Sequence, residues 1–276
     1  MRLGIFAKTF PGSAPDIVLA SARRAGFATV QYNLACSGLD PLPAAIPADA
    51  PIAVRTAAAE TGVGIAAVSA TYNMIHPNPG EREKGRRAFR AVAAAARQMG
   101  TNLLTLCSGS RDAQDQWRFH PDNATPAAWS EMCHEFQLLH VVAVEHDVFL
   151  RVEPELANVV SSAARARQLL DTFTGGRIRI VLDAANLFET ATLEKQHMLI
   201  GEAVDLLGDA IALAHAKDRL PGGRFTYAGG GVLDYPYYLS ALRRAGFRGS
   251  LITHGLDAAE APRVGAFLAA ALEQTT

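Results

Sequence analysis

Cysteine is scarce in this chain. Three residues, Cys36, Cys107 and Cys133, occur among 276, an odd number without the paired spacing of a zinc site or a disulfide framework. They read as reduced, small, buried apolar side chains, and a cytoplasmic location is expected with them. An excess of either charge is missing as well. With 26 basic and 27 acidic residues the formal charge is -1, so the chain offers a polyanion no field to hold it, and nucleic acid is not an expected partner. No apolar run is long enough to cross a bilayer, and the apolar stretch in MRLGIFAKTF is too short for a secretory leader, so no membrane role is expected. Nor does a GxGxxG open the first strand-to-helix turn, which removes support for a dinucleotide-binding sheet.

What the chain has is a 49% hydrophobic composition arranged with a regular alternation. Eight short runs rich in Val, Ile and Leu lie at 2–8, 28–33, 63–71, 102–109, 147–155, 177–186, 211–218 and 250–255. Most are almost continuously apolar, as expected of parallel strands covered on both faces. Between them stand helix signals: Thr125-Pro126 opens 125–146, Asp234 caps a helix that Gly246 ends, and Gly26 stops one that starts near Pro15. Two of these helices end in the same RRAGF, a weak sign of a repeated unit. The stretch GLDPLPAAIPADAP reads as the loop after the second strand. Eight strands alternating with helices predict an α/β fold, a (β/α)8 TIM barrel, as a single domain over residues 1–276.

In such barrels the working groups sit at the C-terminal ends of the strands. Glu153, Asp183, His215 and His254 fall there, on the fifth to eighth runs. A carboxylate at a strand end can simply cap the next helix, and a histidine can bond backbone. Four ionisable groups together at the ends of apolar strands, however, need mutual compensation, which one divalent ion (Mn, Zn, Co or Fe) supplies.

The segments VEPE at 152–155, LDAAN at 182–186, HAKD at 215–218 and GGGVLDYPYYLSALRRAGFRGSLITHG at 229–255 carry a family resemblance. In order and spacing the chain resembles the xylose isomerase-like TIM barrels, which include sugar and sugar-phosphate isomerases and epimerases and endonuclease IV-type enzymes. The resemblance implies a Glu, Asp, His and second Glu around one divalent ion, mapping onto Glu153, Asp183, His215 and His254. The fourth departs, since histidine stands where the epimerases have glutamate. A metal-bound imidazole is a poor base, so two-sided epimerisation is in doubt while a one-base isomerisation through an enediolate, with Glu153 as proton carrier, stays open. Asn186 stands where many relatives place a substrate-contacting histidine; it can hydrogen-bond a hydroxyl or form an Asx turn.

Lys217 lies two residues beyond His215 and, by strand alternation, on the same side, as an enediolate stabiliser or a partner of the carboxylates. Asp218 and Arg219 are expected to organise a Gly-rich loop at 219–233 that reads as a lid. Further candidates for lining a substrate site are Lys8, Tyr32, His76, Arg111, Trp117 and Arg219, with Trp117 or Tyr32 as an aromatic wall beside a sugar face. His120, like His76, reads better as a supporting or surface residue. The leading expectation is a metal-dependent isomerase or epimerase of a small sugar, sugar phosphate or related compound. A lyase or dehydratase, a hydrolase, or a non-catalytic binding relative are the alternatives, and a homo-oligomer is implied by resemblance alone.

Overall fold

The computed structural model describes residues 1–275. Eight parallel strands close on themselves: β1 (Arg2–Phe6), β2 (Thr29–Tyr32), β3 (Gly64–Ser69), β4 (Leu103–Cys107), β5 (Phe149–Glu153), β6 (Ile178–Asp183), β7 (Ile211–Arg219) and, after a short antiparallel strand β8 (Phe225–Tyr227) hung on β7, β9 (Ser250–Thr253). Closure comes from β9, which pairs in parallel with β1 on one side and β7 on the other. Eight helices surround this ring: α1 (Pro15–Arg24), α2 (Ala50–Thr61), α3 (Pro79–Ala96), α4 (Pro126–Glu145), α5 (Ala163–Thr172), α6 (Leu193–Leu207), α7 (Tyr235–Arg244) and α8 (Ala261–Gln274).

The helix boundaries follow local chemistry. Thr125, Ser162, Thr192 and Asp234 each accept a hydrogen bond from a backbone N–H in the first turn of the helix they precede, and α1, α3, α4 and α7 carry proline in the first turn behind an extended or near-extended cap. The strands stop earlier than the apolar runs suggested. β1 ends at Phe6 and gives way to a single 3-10 turn over Ala7–Thr9, and β6 likewise turns at Ala184–Asn186, so the last apolar residues of those runs belong to the barrel's rim.

Most of the apolar core lies between strands and helices, with Phe27, Phe89, Phe136, Leu19 and Met99 fully buried there. A second, small cluster of Ala67, Val181, Leu213 and Ile252 fills part of the barrel interior. Space inside is tight: a side chain at Gly4 would collide with Thr29 Oγ1 and Ile252 Cδ1.

Residues 219–233 do not form a free lid. Asp218, fully buried on β7, accepts hydrogen bonds from the backbone N–H groups of Arg219 (2.8 Å), Gly229 (3.2 Å), Gly231 (3.1 Å) and Leu233 (2.9 Å). One carboxylate therefore ties the loop, including the β8 hairpin, back to the strand that carries His215. Gly231 is needed at this approach, because a Cβ would run into Arg219 O and Asp218 Oδ1. Replacing Asp218 by Ala leaves several buried N–H donors unsatisfied and is expected to remove about 3 kcal/mol of stability. Urea unfolding of the variant checks this; a loss below about 1 kcal/mol would show that water or the loop itself replaces the carboxylate.

Candidate metal centre

The ends of β5 and β6, the middle of β7 and the residue just past β9 meet in one place. Glu153, Asp183, His215 and His254 each offer a ligand atom, and these atoms all lie within 4.8 Å of one another. Register explains the meeting: Asp183 stands directly beside His215 on the parallel pair β6–β7, and Ala216 beside Thr253 on β7–β9, so His254 follows next to the same point. Helix α7 fixes these strand ends from outside. Tyr238 donates to Leu182 O (2.8 Å) and lies 3.2 Å from His215 O, and Tyr235 donates to Lys217 O (2.7 Å).

The four side chains are held by neighbours that leave particular atoms free. Asp183 Oδ1 accepts from Ala185 N at 2.9 Å, while its Oδ2 is buried without a hydrogen-bond partner. His254 Nε2, 3.6 Å from that oxygen, is also buried and unpartnered. An orphaned carboxylate oxygen facing an orphaned imidazole nitrogen is the arrangement a divalent cation satisfies, and the mixed oxygen and nitrogen donor set suits a borderline ion. His215 Nε2 lies 2.8 Å from Gln31 Oε1, which fixes the proton on Nε2 and turns the Nδ1 lone pair toward Glu153, 3.2 Å away. Gln31 is itself steadied by donating to Ser69 Oγ at 3.2 Å.

Charges around this centre compensate one another. Burial raises the carboxyls of Glu153 and Asp183, but His215 and Lys217 outweigh it at Glu153, and Lys217 with His254 outweighs it at Asp183, so both stay ionised below their ordinary range. Burial lowers Lys217, yet Asp183, Glu153 and Glu155 together hold its ammonium above the usual value. Burial also draws His254 down to about 4, against the pull of Asp183, which keeps the imidazole neutral and able to ligate at neutral pH. Glu155, not singled out from the sequence, is pushed up to about 7 by burial.

Beside the cluster opens a cavity of about 340 Å³, the size of a small-molecule site. Glu153, His215 and His254 form part of its wall, with Gln31, Ser69, Thr71, Thr105, Cys107 and Gln116 around it and Lys8 and Trp117 also lining it. Among the described residues, Glu153 is the sole acid on that wall. Trp117 is held there by a pinned loop: Asn158 accepts from Gly109 N and donates to Gln116 O, and Asn73 bonds Ser110 on both sides.

Several residues expected at the site stand elsewhere. Tyr32 faces the helix layer, fully buried, with its hydroxyl 2.8 Å from Ser37 Oγ; strand alternation turns it away from the barrel when Gln31 faces in. His76 accepts from Asn78 N in a turn and reaches Ala113 O, and His120 caps the turn at Asp122; neither lines the cavity. Arg111 pairs with Glu131 on α4. Arg219 donates to Ala185 O and Gly223 O and lies over the Phe225 ring, so it braces the loop. Asn186 and Lys217 sit behind the ligands rather than on the wall. Asn186 donates to Glu153 Oε1 (2.8 Å) and accepts from Lys217 Nζ (3.0 Å), which also lies 3.4 Å from Asp183 Oδ2.

Replacing Glu153, Asp183 or His254 by Ala is expected to abolish stoichiometric binding of Mn, Co or Zn, measured by elemental analysis after reconstitution. Gln31→Leu is expected to weaken that binding about 10- to 100-fold without unfolding the protein, because His215 loses the partner that sets its tautomer. Undiminished affinity in the Gln31 variant would show that the imidazole is oriented by packing alone.

The same fold recurs in solved structures of known proteins. Solved structures with the same fold include 3-keto-D-glucoside 4-epimerase from E. coli (16% identity, TM-score 0.76, covering 98% of this chain and 99% of that one). An L-ribulose 3-epimerase is similar at 18% identity and TM-score 0.77, over 99% and 95% of the two chains. An IOLI protein described with a bound zinc atom aligns at 14% identity and TM-score 0.73, over 100% and 99%. No curated protein matches the sequence significantly. A family model for the xylose isomerase-like TIM barrel matches residues 19–268, and the chain belongs to that family.

Proposed function

We propose that the protein is a divalent-metal-dependent isomerase or epimerase of a small polyhydroxy carbonyl compound, a sugar or close relative, acting through an enediolate. The observation that carries this reading is the pairing of two orphaned ligand atoms, Asp183 Oδ2 and His254 Nε2, with one carboxylate, Glu153, that belongs both to the cluster and to the cavity wall. The solved relatives that act on sugars and the one described with zinc support the same reading.

Glu153, Asp183, His215 and His254 would hold the ion. When bound there, a divalent cation polarises a carbonyl and acidifies the neighbouring C–H. Glu153 Oε1 is the base: it is ionised, faces the cavity, and is aimed by the Asn186 amide, which donates to it. Lys217 works through others, neutralising Asp183 and orienting Asn186, and does not reach the cavity wall. Thr71, Asn33 and Gln116 offer hydroxyl partners, and Trp117, half exposed, offers an apolar face to a sugar ring. With His254 in the fourth position, Glu153 is the one carboxylate among the described residues that line the cavity. That favours a single base carrying a proton between adjacent carbons over a two-base inversion.

Hydrolysis with several metal ions is less well supported. The ends of β3 and β4 carry Ser69 and Cys107, and the described residues hold one cluster of metal-binding type. Loss of a β-hydroxyl after the same deprotonation would make the enzyme a dehydratase, which product analysis distinguishes.

The test is NMR of a panel of ketoses and aldoses incubated in D2O with the Mn- or Co-loaded protein. Deuterium is expected to enter on one face next to the carbonyl with aldose–ketose interconversion, and Glu153→Gln should slow it about 10²- to 10⁴-fold. Absence of both exchange and turnover across the panel, with the metal bound, would overturn the catalytic reading in favour of a binding protein.

A further inference from the structure

The cavity wall carries one basic residue for which the reaction proposed above has no use. Lys8 follows β1 in the 3-10 turn over Ala7–Thr9. It is exposed, lines the cavity, and has no ion-pair or hydrogen-bond partner for its ammonium among the described residues. No other lysine or arginine among those residues lines the cavity. Asn33 stands beside it. Phe6 and Gln31 pair in register at the ends of β1 and β2, and Lys8 and Asn33 come two residues further along each chain segment. The turns at these strand ends, Ala7–Thr9 and Leu34–Ser37, are in contact. Burial pushes the Cys36 thiol up to about 11, with the Asn33 backbone and then the Lys8 ammonium opposing it, so the Lys8 charge is felt in the turn that Asn33 caps. Asn33 is 6% exposed and also lines the cavity. Its Oδ1 accepts from Ala35 N at 3.0 Å, which leaves its amide N–H groups without an acceptor among the described residues. An ammonium and a buried amide thus sit side by side on the wall as donors with nothing to donate to.

The closed ring separates this pair from the reacting end. β1 is four strands from β5 in either direction and β2 is four from β6, so Lys8 and Asn33 stand on the far side of the barrel mouth from Glu153 and Asp183. A substrate whose carbonyl end lies at Glu153 therefore presents its other end to Lys8 and Asn33. One ammonium matches the single charge of a carboxylate. A phosphate ester would bring about two negative charges, and the arginines that could share them are committed elsewhere, Arg111 to Glu131 and Arg219 to Ala185 O and Gly223 O.

We propose that the substrate is a sugar acid, a polyhydroxy carbonyl compound whose terminal carboxylate is held by the Lys8 ammonium and the Asn33 amide. This assignment rests on Glu153 marking the reacting end, and adds to that reading the class of substrate.

The experiment is calorimetric titration of the Mn-loaded protein with two trios of ketoses that differ only at the last carbon. These are D-fructose, D-fructuronate and D-fructose 6-phosphate, and D-tagatose, D-tagaturonate and D-tagatose 6-phosphate. In at least one trio the parent is expected to bind the acid about 10- to 100-fold tighter than the neutral ketose, by an advantage that shrinks as sodium chloride is added. Lys8→Met should bring that ratio to within about threefold, and Lys8→Arg, which keeps the charge, should retain most of it. Equal affinities for acid and neutral ketose, no binding of either acid, a phosphate ester that binds tighter than its acid, or a preference that survives Lys8→Met each overturn the carboxylate site. Deuterium exchange keeps its failure apart from that of the isomerase reading. Exchange into a neutral ketose with no preference for the acid removes the carboxylate site alone, whereas a Lys8-dependent preference for the acid without exchange leaves that site standing and removes the isomerase.

Discussion

Pairing of the last strand with the first is the constraint on which everything else in this protein rests. β9 is four residues long, yet by bonding β1 and β7 at once it turns an open parallel sheet into a ring without edges. Once the ring is closed, the C-terminal ends of β5, β6, β7 and β9 have no freedom to separate. The cluster of Glu153, Asp183, His215 and His254 is therefore a consequence of closure, as is the cavity beside it.

Concentrating ionisable groups in a mostly apolar barrel creates an electrostatic problem. Around the cluster the answer is reciprocal: Lys217 neutralises Asp183, Asn186 joins Lys217 to Glu153, and Gln31 fixes His215. What remains unsatisfied, Asp183 Oδ2 and His254 Nε2, points to one place.

Much of this arrangement was legible in the residues. The alternation of apolar runs with capped helices carried the barrel, and the ionisable residues ending the fifth to eighth runs marked the cluster. Lys8 and Trp117 do line the cavity. Tyr32 reads as an aromatic wall beside a sugar, but it faces the helices while its neighbour Gln31 faces the cavity, and the phase of β2 is not evident in a short, wholly buried run. Arg111, His76 and Arg219 were attractive for their chemistry and turned out to serve Glu131, a turn and a loop. The glycines of 219–233 read as mobility, whereas four N–H groups converging on Asp218 make them a fixed bracket.

Sequence alone determined the number and order of strands and helices, because hydrophobic periodicity and helix caps are local properties. It also determined which residue types stood at the strand ends. Tertiary structure decided which of them face one another. On β7 the register against β6 skips Ala212, so Asp183 lies beside His215 instead of Ala214, and a similar skip at Ala66 of β3 falls where β2 carries Gln31. A one-residue slip reverses every side chain on a strand, and it is set by the packing of the closed ring, not by the strand's own residues.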